Sequence, residues 1–332
     1  MRVMCRYDSY FLRTVLRKLV WGLLSCSLLA ISCGSSRAQN VNLPLVSLPK
    51  QDRPPSIRVN SDLVLIPVTV LDDHDRNVVG LGKESFRLYD DKVEQVITRF
   101  SIEEAPISVA FLFDASGSMA RKLSKAQESV SRFLYSSNSD DEFLLVRFSD
   151  QVELLAGLTG EAEQVRRQLM SIQASGQTAL LDAIELSVRQ IQKAHNARKA
   201  LMIISDGGDN HSRRTVSEIK SLVQESDVQI YALGIFDSMD MRAQTREELA
   251  GPDLLREVAK QSGGRLIEIS DLSKLPTVAA KVSDALRTQY VLGYSPANSR
   301  LDGKFHRIEV KLVKPKGFPR LHAFWRQGYY AP

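Results

Sequence analysis

The sequence predicts an α/β protein: a doubly wound, mostly parallel sheet with helices on both faces, plus a small β-sandwich-like unit built from the flanking N- and C-terminal strands. Three observations carry this. Between residues 106 and 287, continuous apolar runs alternate with amphipathic stretches of helical period, the pattern of strands buried on both sides by covering helices. On either flank, residues 61–101 and 288–332 hold strand-like runs only, and neither group is large enough to bury a core alone. A content of 43% hydrophobic and 25% charged residues over 332 positions excludes wholesale disorder and allows roughly two domains of ~150 residues.

Residues 1–38 read as a secretory signal peptide. Arg2, Arg6, Arg13, Arg17 and Lys18 face a single acid, Asp8, and an uncharged apolar run follows from Leu19 to Ile31, too short for a spanning helix of ~20 residues. Ser36-Arg37-Ala38 fits a small-x-small cleavage site. Lipid anchoring at Cys33 or Cys26 and an uncleaved leader are the alternatives, and they are the only expected link to a membrane. The leader holds six basic residues, one acid and all three cysteines, so the rest of the chain carries 38 basic and 38 acidic residues. The formal charge of +5 therefore gives no argument for nucleic acid. The exported part offers no disulfide, thiol nucleophile or thiolate metal site.

Residues 39–60, with Pro44, Pro49, Pro54 and Pro55, read as an extended linker. The N-terminal β unit, 61–101, opens with the run Leu63–Val70, where Pro67 points to an edge position or a bulge. Phe86–Tyr89 and Gln95–Phe100 are expected as strands joined across Asp90-Asp91-Lys92. In the α/β segment, 106–287, strands are expected at Ile107–Phe113, Phe143–Phe148, Val152–Leu155, Ala200–Ser205, Val228–Phe236 and Gly264–Ile269. Helices are expected at Leu123–Tyr135, Ala162–Ile172, Ala179–Ala194, Val216–Gln224, Leu249–Gln261 and Leu275–Arg287. The closing segment, 288–332, returns to strands at Tyr290–Tyr294, Phe305–Leu312 and Leu321–Trp325, expected to complete the first β unit.

Three loops fall at the carboxyl ends of the central strands, where open α/β sheets bind ligands. The first is Asp114-Ala115-Ser116-Gly117-Ser118, with oxygen side chains at i, i+2 and i+4. The second, Ser175-Gly176-Gln177-Thr178, puts the Thr178 hydroxyl at a helix start, and the third holds Ser205-Asp206-Gly207. Hard cations such as Mg²⁺ take oxygen ligands of this kind. The same five residues could serve only as turn formers and caps.

This arrangement resembles the von Willebrand factor type A (VWA) domain, a Rossmann-like fold, and its metal-ion-dependent adhesion site (MIDAS). The resemblance implies Ser116, Ser118 and Thr178 as metal ligands, with Asp114 and Asp206 binding directly or through water. The flanking runs, among them Tyr290-Val291-Leu292-Gly293-Tyr294-Ser295-Pro296 and the ending Gly328-Tyr329-Tyr330-Ala331-Pro332, are similar to the secreted VWA-related proteins typified by acidobacterial sequences. The function then expected is non-enzymatic. It is an exported module whose divalent cation, Mg²⁺ or else Mn²⁺ or Ca²⁺, captures an acidic side chain of a protein partner. A structural envelope protein with a silent metal site is the alternative, and a serine hydrolase using Ser116 or Ser118 a remote one, since no histidine is positioned by sequence to activate either. The five histidines show no zinc spacing, and Asp209 reads as a solvated loop acid.

Overall fold

The computed structural model describes residues 63–236, 246–296, 303–313, 317–318 and 320–331. The expected leader, with its cysteines, and the linker lie outside the described residues.

At the centre is a six-stranded sheet of β5 (Ile107–Asp114), β6 (Glu142–Phe148), β7 (Val152–Thr159), β8 (Arg198–Ser205), β9 (Val228–Ile235) and β10 (Arg265–Ile269). Its spatial order is β10-β9-β8-β5-β6-β7, parallel throughout except for β7, which turns back on β6 as a hairpin. Alternation along the strands builds two cores. Val109, Phe111 and Phe113 of β5 point to the face covered by α1 (Leu123–Tyr135), α2 (Ala162–Met170) and α6 (Leu275–Arg287). Ala110 and Leu112 point to the face covered by α3 (Leu180–Ile191), α4 (Val216–Glu225) and α5 (Arg246–Gln261). Every residue of β5 is buried, which is why its sequence runs apolar without interruption. The strand order reverses between β5 and β8, so the crevice at their carboxyl ends is the switch point of the sheet.

The flanking strands pair across the length of the chain. One antiparallel sheet has the order β13-β1-β11-β4, made of β1 (Val64–Asp72), β4 (Arg99–Glu104), β11 (Thr288–Tyr294) and β13 (Leu321–Trp325). A second has the order β14-β12-β2-β3, made of β2 (Phe86–Asp90), β3 (Val93–Gln95), β12 (Phe305–Leu312) and β14 (Gly328–Tyr330). Ile66, Val68 and Val70 of the first sheet share a core with Phe86, Leu88, Ile308 and Val310 of the second. This is sheet-on-sheet packing with alternating inward residues. The β13 pairing of β1 begins only at Val68, so Pro67 lies where β1 has β11 as its one neighbour, in keeping with the edge position its missing N–H demands.

One expected strand is two. Gln95–Phe100 divides into the end of β3 and the start of β4, which belong to different sheets. The chain crosses between them at residues 96–98, where Ile97 is buried in the shared core and the Thr98 N–H donates to the Gly293 carbonyl at 2.8 Å. A buried ion pair closes the base of the central sheet. Arg287, at the end of α6, donates to both Asp141 carboxylate oxygens at 2.9 and 2.7 Å, and Asp141 Oδ1 also accepts from the Ile107 N–H that opens β5.

Candidate metal centre

Asp114 is the last residue of β5 and has no exposed surface. Its Oδ1 accepts from the Ser116 N–H at 2.9 Å and its Oδ2 from the Ser205 hydroxyl at 2.5 Å. The first bond folds the chain back into a short 3-10 turn, Gly117–Met119, which leaves the Ser116 and Ser118 hydroxyl oxygens 3.1 Å apart. Ser116 is buried and Ser118 is exposed, so the pair spans from the floor of the crevice to its rim. Burial pushes the Asp114 carboxyl up to about 7, and the neighbouring Asp206 charge adds to the rise, against the opposing pull of the Ser116 and Ser205 hydrogen bonds.

The second loop is tied to the first by backbone alone: Gly117 N–H to the Gly176 carbonyl at 3.0 Å and Ser175 N–H to the Ala115 carbonyl at 2.7 Å. Gly176 has φ +83°, and a Cβ there would run into the Asp150 carboxylate, which takes the following Gln177 N–H. Only glycine meets both conditions without strain. Thr178 is buried and stands two residues before α3 rather than within its first turn. The first amides of α3 are capped from the third loop instead. Asp209 Oδ1 accepts from Leu180 N–H at 2.9 Å, and Ser212 Oγ accepts from Leu181 N–H at 3.0 Å. Asp209 is therefore not a solvated loop acid: it is a part-buried cap, and burial raises its carboxyl above the ordinary range.

The third loop continues β8. Ser205 accepts from the Gly207 N–H at 2.9 Å while donating to Asp114. Gly207, at φ +90°, packs against Gly251 of α5 so closely that a Cβ on Gly207 would lie 2.9 Å from the Gly251 carbonyl carbon. Asp206, 8% exposed, receives the Lys122 ammonium on Oδ2 at 3.1 Å. Its Oδ1 is buried without a hydrogen-bond partner.

The three loops carrying Asp114, Ser116, Ser118, Thr178 and Asp206 thus meet at one end of the sheet, stitched by the bonds above and by Asn210, whose side chain accepts from Thr178 N–H at 2.9 Å. Two carboxylates and three hydroxyls make an all-oxygen donor set, the chemistry of a hard divalent cation. A buried carboxylate oxygen without a partner is costly, and a cation satisfies it, so these residues fit such an ion. The hydroxyl of Ser116 is engaged with Ser118, and among the described residues His195 pairs with Glu142, His306 with Asp90 and Asp91, and His322 with Asp73. Sequence reasoning missed Lys122 and Ser205, the direct neighbours of the two carboxylates. Ser205 carries a signal in hindsight, as the polar residue that ends an otherwise apolar buried strand. Lys122 carries none, since only the turn after Ser118 brings it back to Asp206.

The family model of the von Willebrand factor type A domain matches residues 109–208, a span that includes all three loops. Inter-alpha-trypsin inhibitor heavy chain H4 of Sus scrofa is 30% identical over 132 residues, 36% of this chain and 14% of that protein. The Bos taurus protein of the same name is 26% identical over 224 residues, 60% of this chain and 23% of its own length. The chain thus spans less than a quarter of either relative. Among solved structures, von Willebrand factor type A from Catenulispora acidiphila aligns with a TM-score of 0.48 at 13% identity, covering 76% of this chain and 74% of that one. BatB from Bacteroides thetaiotaomicron aligns at 0.44 and 20%, covering 54% and 98%. No helix among the described residues is long and apolar enough to cross a membrane. On the family match, together with the sheet order and the three-loop crevice, the chain carries a von Willebrand factor type A domain.

Proposed function

We propose that this protein is an exported, cation-dependent protein-binding module. Asp114, Ser116, Ser118, Thr178 and Asp206 hold one divalent ion, Mg²⁺ or else Mn²⁺ or Ca²⁺, and an acidic side chain of a partner completes its coordination. The observation that carries this is the state of the two carboxylates: Asp114 fully buried, with the Ser116 amide and the Ser205 hydroxyl as its partners among the described residues, and Asp206 with one buried oxygen unsatisfied. Both are costly as they stand and both are relieved by a cation. The ion supplies the positive centre that attracts the partner. The chain's own residues keep the donors in place and shield them from water. The basic and apolar leader supports export, and the engagement of Ser116 Oγ with Ser118 rather than an imidazole favours binding over hydrolysis. Affinity capture from an envelope extract, run in Mg²⁺ and in EDTA, tests the proposal. Partners should be retained only in Mg²⁺ and lost with Asp114→Ala; equal capture by that variant in EDTA would sink it.

One observation favours the alternative of a structural envelope protein with a silent site. Lys122 already places a positive charge on Asp206. If that ammonium is the resident cation, Mg²⁺ will neither stabilise the protein nor alter capture.

A further inference from the structure

A second cluster of ligand atoms lies in the β-sandwich, away from the crevice. Asp90 ends β2, Asp91 begins the tight turn to β3, and His306 sits on β12 next to β2. Asp90 is 7% exposed. Its Oδ2 accepts from the Tyr294 hydroxyl at 2.8 Å and the Tyr329 hydroxyl at 3.4 Å. Its Oδ1 is buried and accepts no hydrogen bond. That oxygen lies 3.5 Å from His306 Nδ1, which is in turn 3.1 Å from Asp91 Oδ2. Asp91 is itself clamped, exchanging backbone and side-chain bonds with Arg307 at 2.9 Å each. The imidazole is stacked on the Tyr329 ring, with centroids 5.4 Å apart.

The three ligand atoms lie within 4.8 Å of one another. Bonds of ~2.1 Å put neighbouring donors about 3.0 Å apart in an octahedron and about 3.4 Å apart in a tetrahedron, which the 3.1 and 3.5 Å edges match. The tyrosine hydroxyls hold Asp90 by one oxygen and aim the other, as outer hydrogen bonds do for carboxylate ligands. We propose that Asp90 Oδ1, Asp91 Oδ2 and His306 Nδ1 form a second cation site, for Zn²⁺, that staples the β2–β3 turn to β12. An imidazole among carboxylates selects a borderline ion such as Zn²⁺ over Mg²⁺ or Ca²⁺, which take oxygen ligands. Water fills the remaining positions. The two sites of this protein therefore differ in the metal they take.

The test is calorimetric titration of the full chain with zinc chloride in excess Mg²⁺, on wild type, Asp91→Asn, His306→Gln and Asp114→Ala, with circular dichroism to confirm folding. Asp91 is exposed and His306 is not in a hydrophobic core, so both variants should fold; Asp90, buried under two tyrosines, is left intact. Wild type and Asp114→Ala should bind zinc alike, saturably and with a raised thermal midpoint. His306→Gln and Asp91→Asn should each bind at least about tenfold more weakly. Absence of saturable zinc binding in wild type, or unchanged binding in both sandwich variants, overturns the proposal and leaves an ion pair of imidazolium with two carboxylates. Partner capture in Mg²⁺ is read separately, so the two sites fail independently.

Discussion

Asp114→Asn should make the metal-free protein more stable at neutral pH. A folded-state carboxyl at about 7 against an ordinary 3.8 means that the folded chain holds a proton the unfolded chain has lost between those values. Stability from this group is therefore fully present below about pH 4 and falls as pH rises toward 7. At ~1.36 kcal/mol per pH unit the full loss is about 4 kcal/mol, and full burial of Asp114 means that solvent screening does not reduce it much. Asparagine carries no such charge. It can still accept the Ser116 N–H, and its amide nitrogen can donate to the Ser205 oxygen in place of the bond that the Ser205 hydroxyl now gives to Asp114. The assay is urea denaturation in EDTA from pH 4.5 to 8, for wild type and Asp114→Asn in parallel. The wild-type free energy minus that of the variant should decline across the range by several kcal/mol and level off above pH 7.5. Saturating Mg²⁺ at pH 8 should restore much of the loss in wild type and none in the variant. A difference that stays flat with pH, or that climbs with pH, would refute the claim that Asp114 is a buried carboxylate awaiting a cation.

Other outcomes follow from the same geometry. Lys122→Met should raise Mg²⁺ affinity by about tenfold or more, read by calorimetry, because it removes a positive charge that shares Asp206 with the ion; unchanged affinity would place Lys122 outside the site's electrostatics. Asp141→Ala strands the buried Arg287 guanidinium and frees the first amide of β5, so urea denaturation should show a loss of about 3–5 kcal/mol. Gly207→Ala meets both the left-handed φ and the Gly251 backbone, and a loss of more than ~1 kcal/mol with weakened Mg²⁺ binding is expected; a silent substitution would mean that α5 moves away freely. Asp209→Ala uncaps α3 and should cost about 1 kcal/mol by thermal denaturation.

The sheet and its reactive edge were legible because local pattern and burial coincide there. Ile107–Phe113 is apolar at every position but Ser108, and it is buried at every position; Asp114-x-Ser116-x-Ser118 follows at the strand end, and glycines mark the turns of the other two loops. What stayed hidden depends on contacts between distant segments. The division of Gln95–Phe100 is decided by Gly293, about two hundred residues on, which takes the Thr98 amide. The role of Asp209 depends on α3, whose own preceding residue, Ala179, cannot cap it. Asp90 and His306 lie too far apart in sequence for any metal-ligand spacing to join them, and only β2–β12 pairing does so.

The pairing of Glu104 with Thr288 has a consequence for how the chain folds. These residues are the doorway through which the α/β segment leaves the sandwich and re-enters it. An open chain would have to close a loop of some 180 residues to place β11 between β1 and β4, at an entropic penalty of roughly 4–5 kcal/mol. The α/β segment is built of successive strand–helix units with their own core, and once folded it holds β4 and β11 side by side. The sandwich is then assembled from a preformed hairpin whose turn is an entire domain. Damage to the central sheet should therefore undo the β unit as well, while damage to the outer strands should spare the crevice.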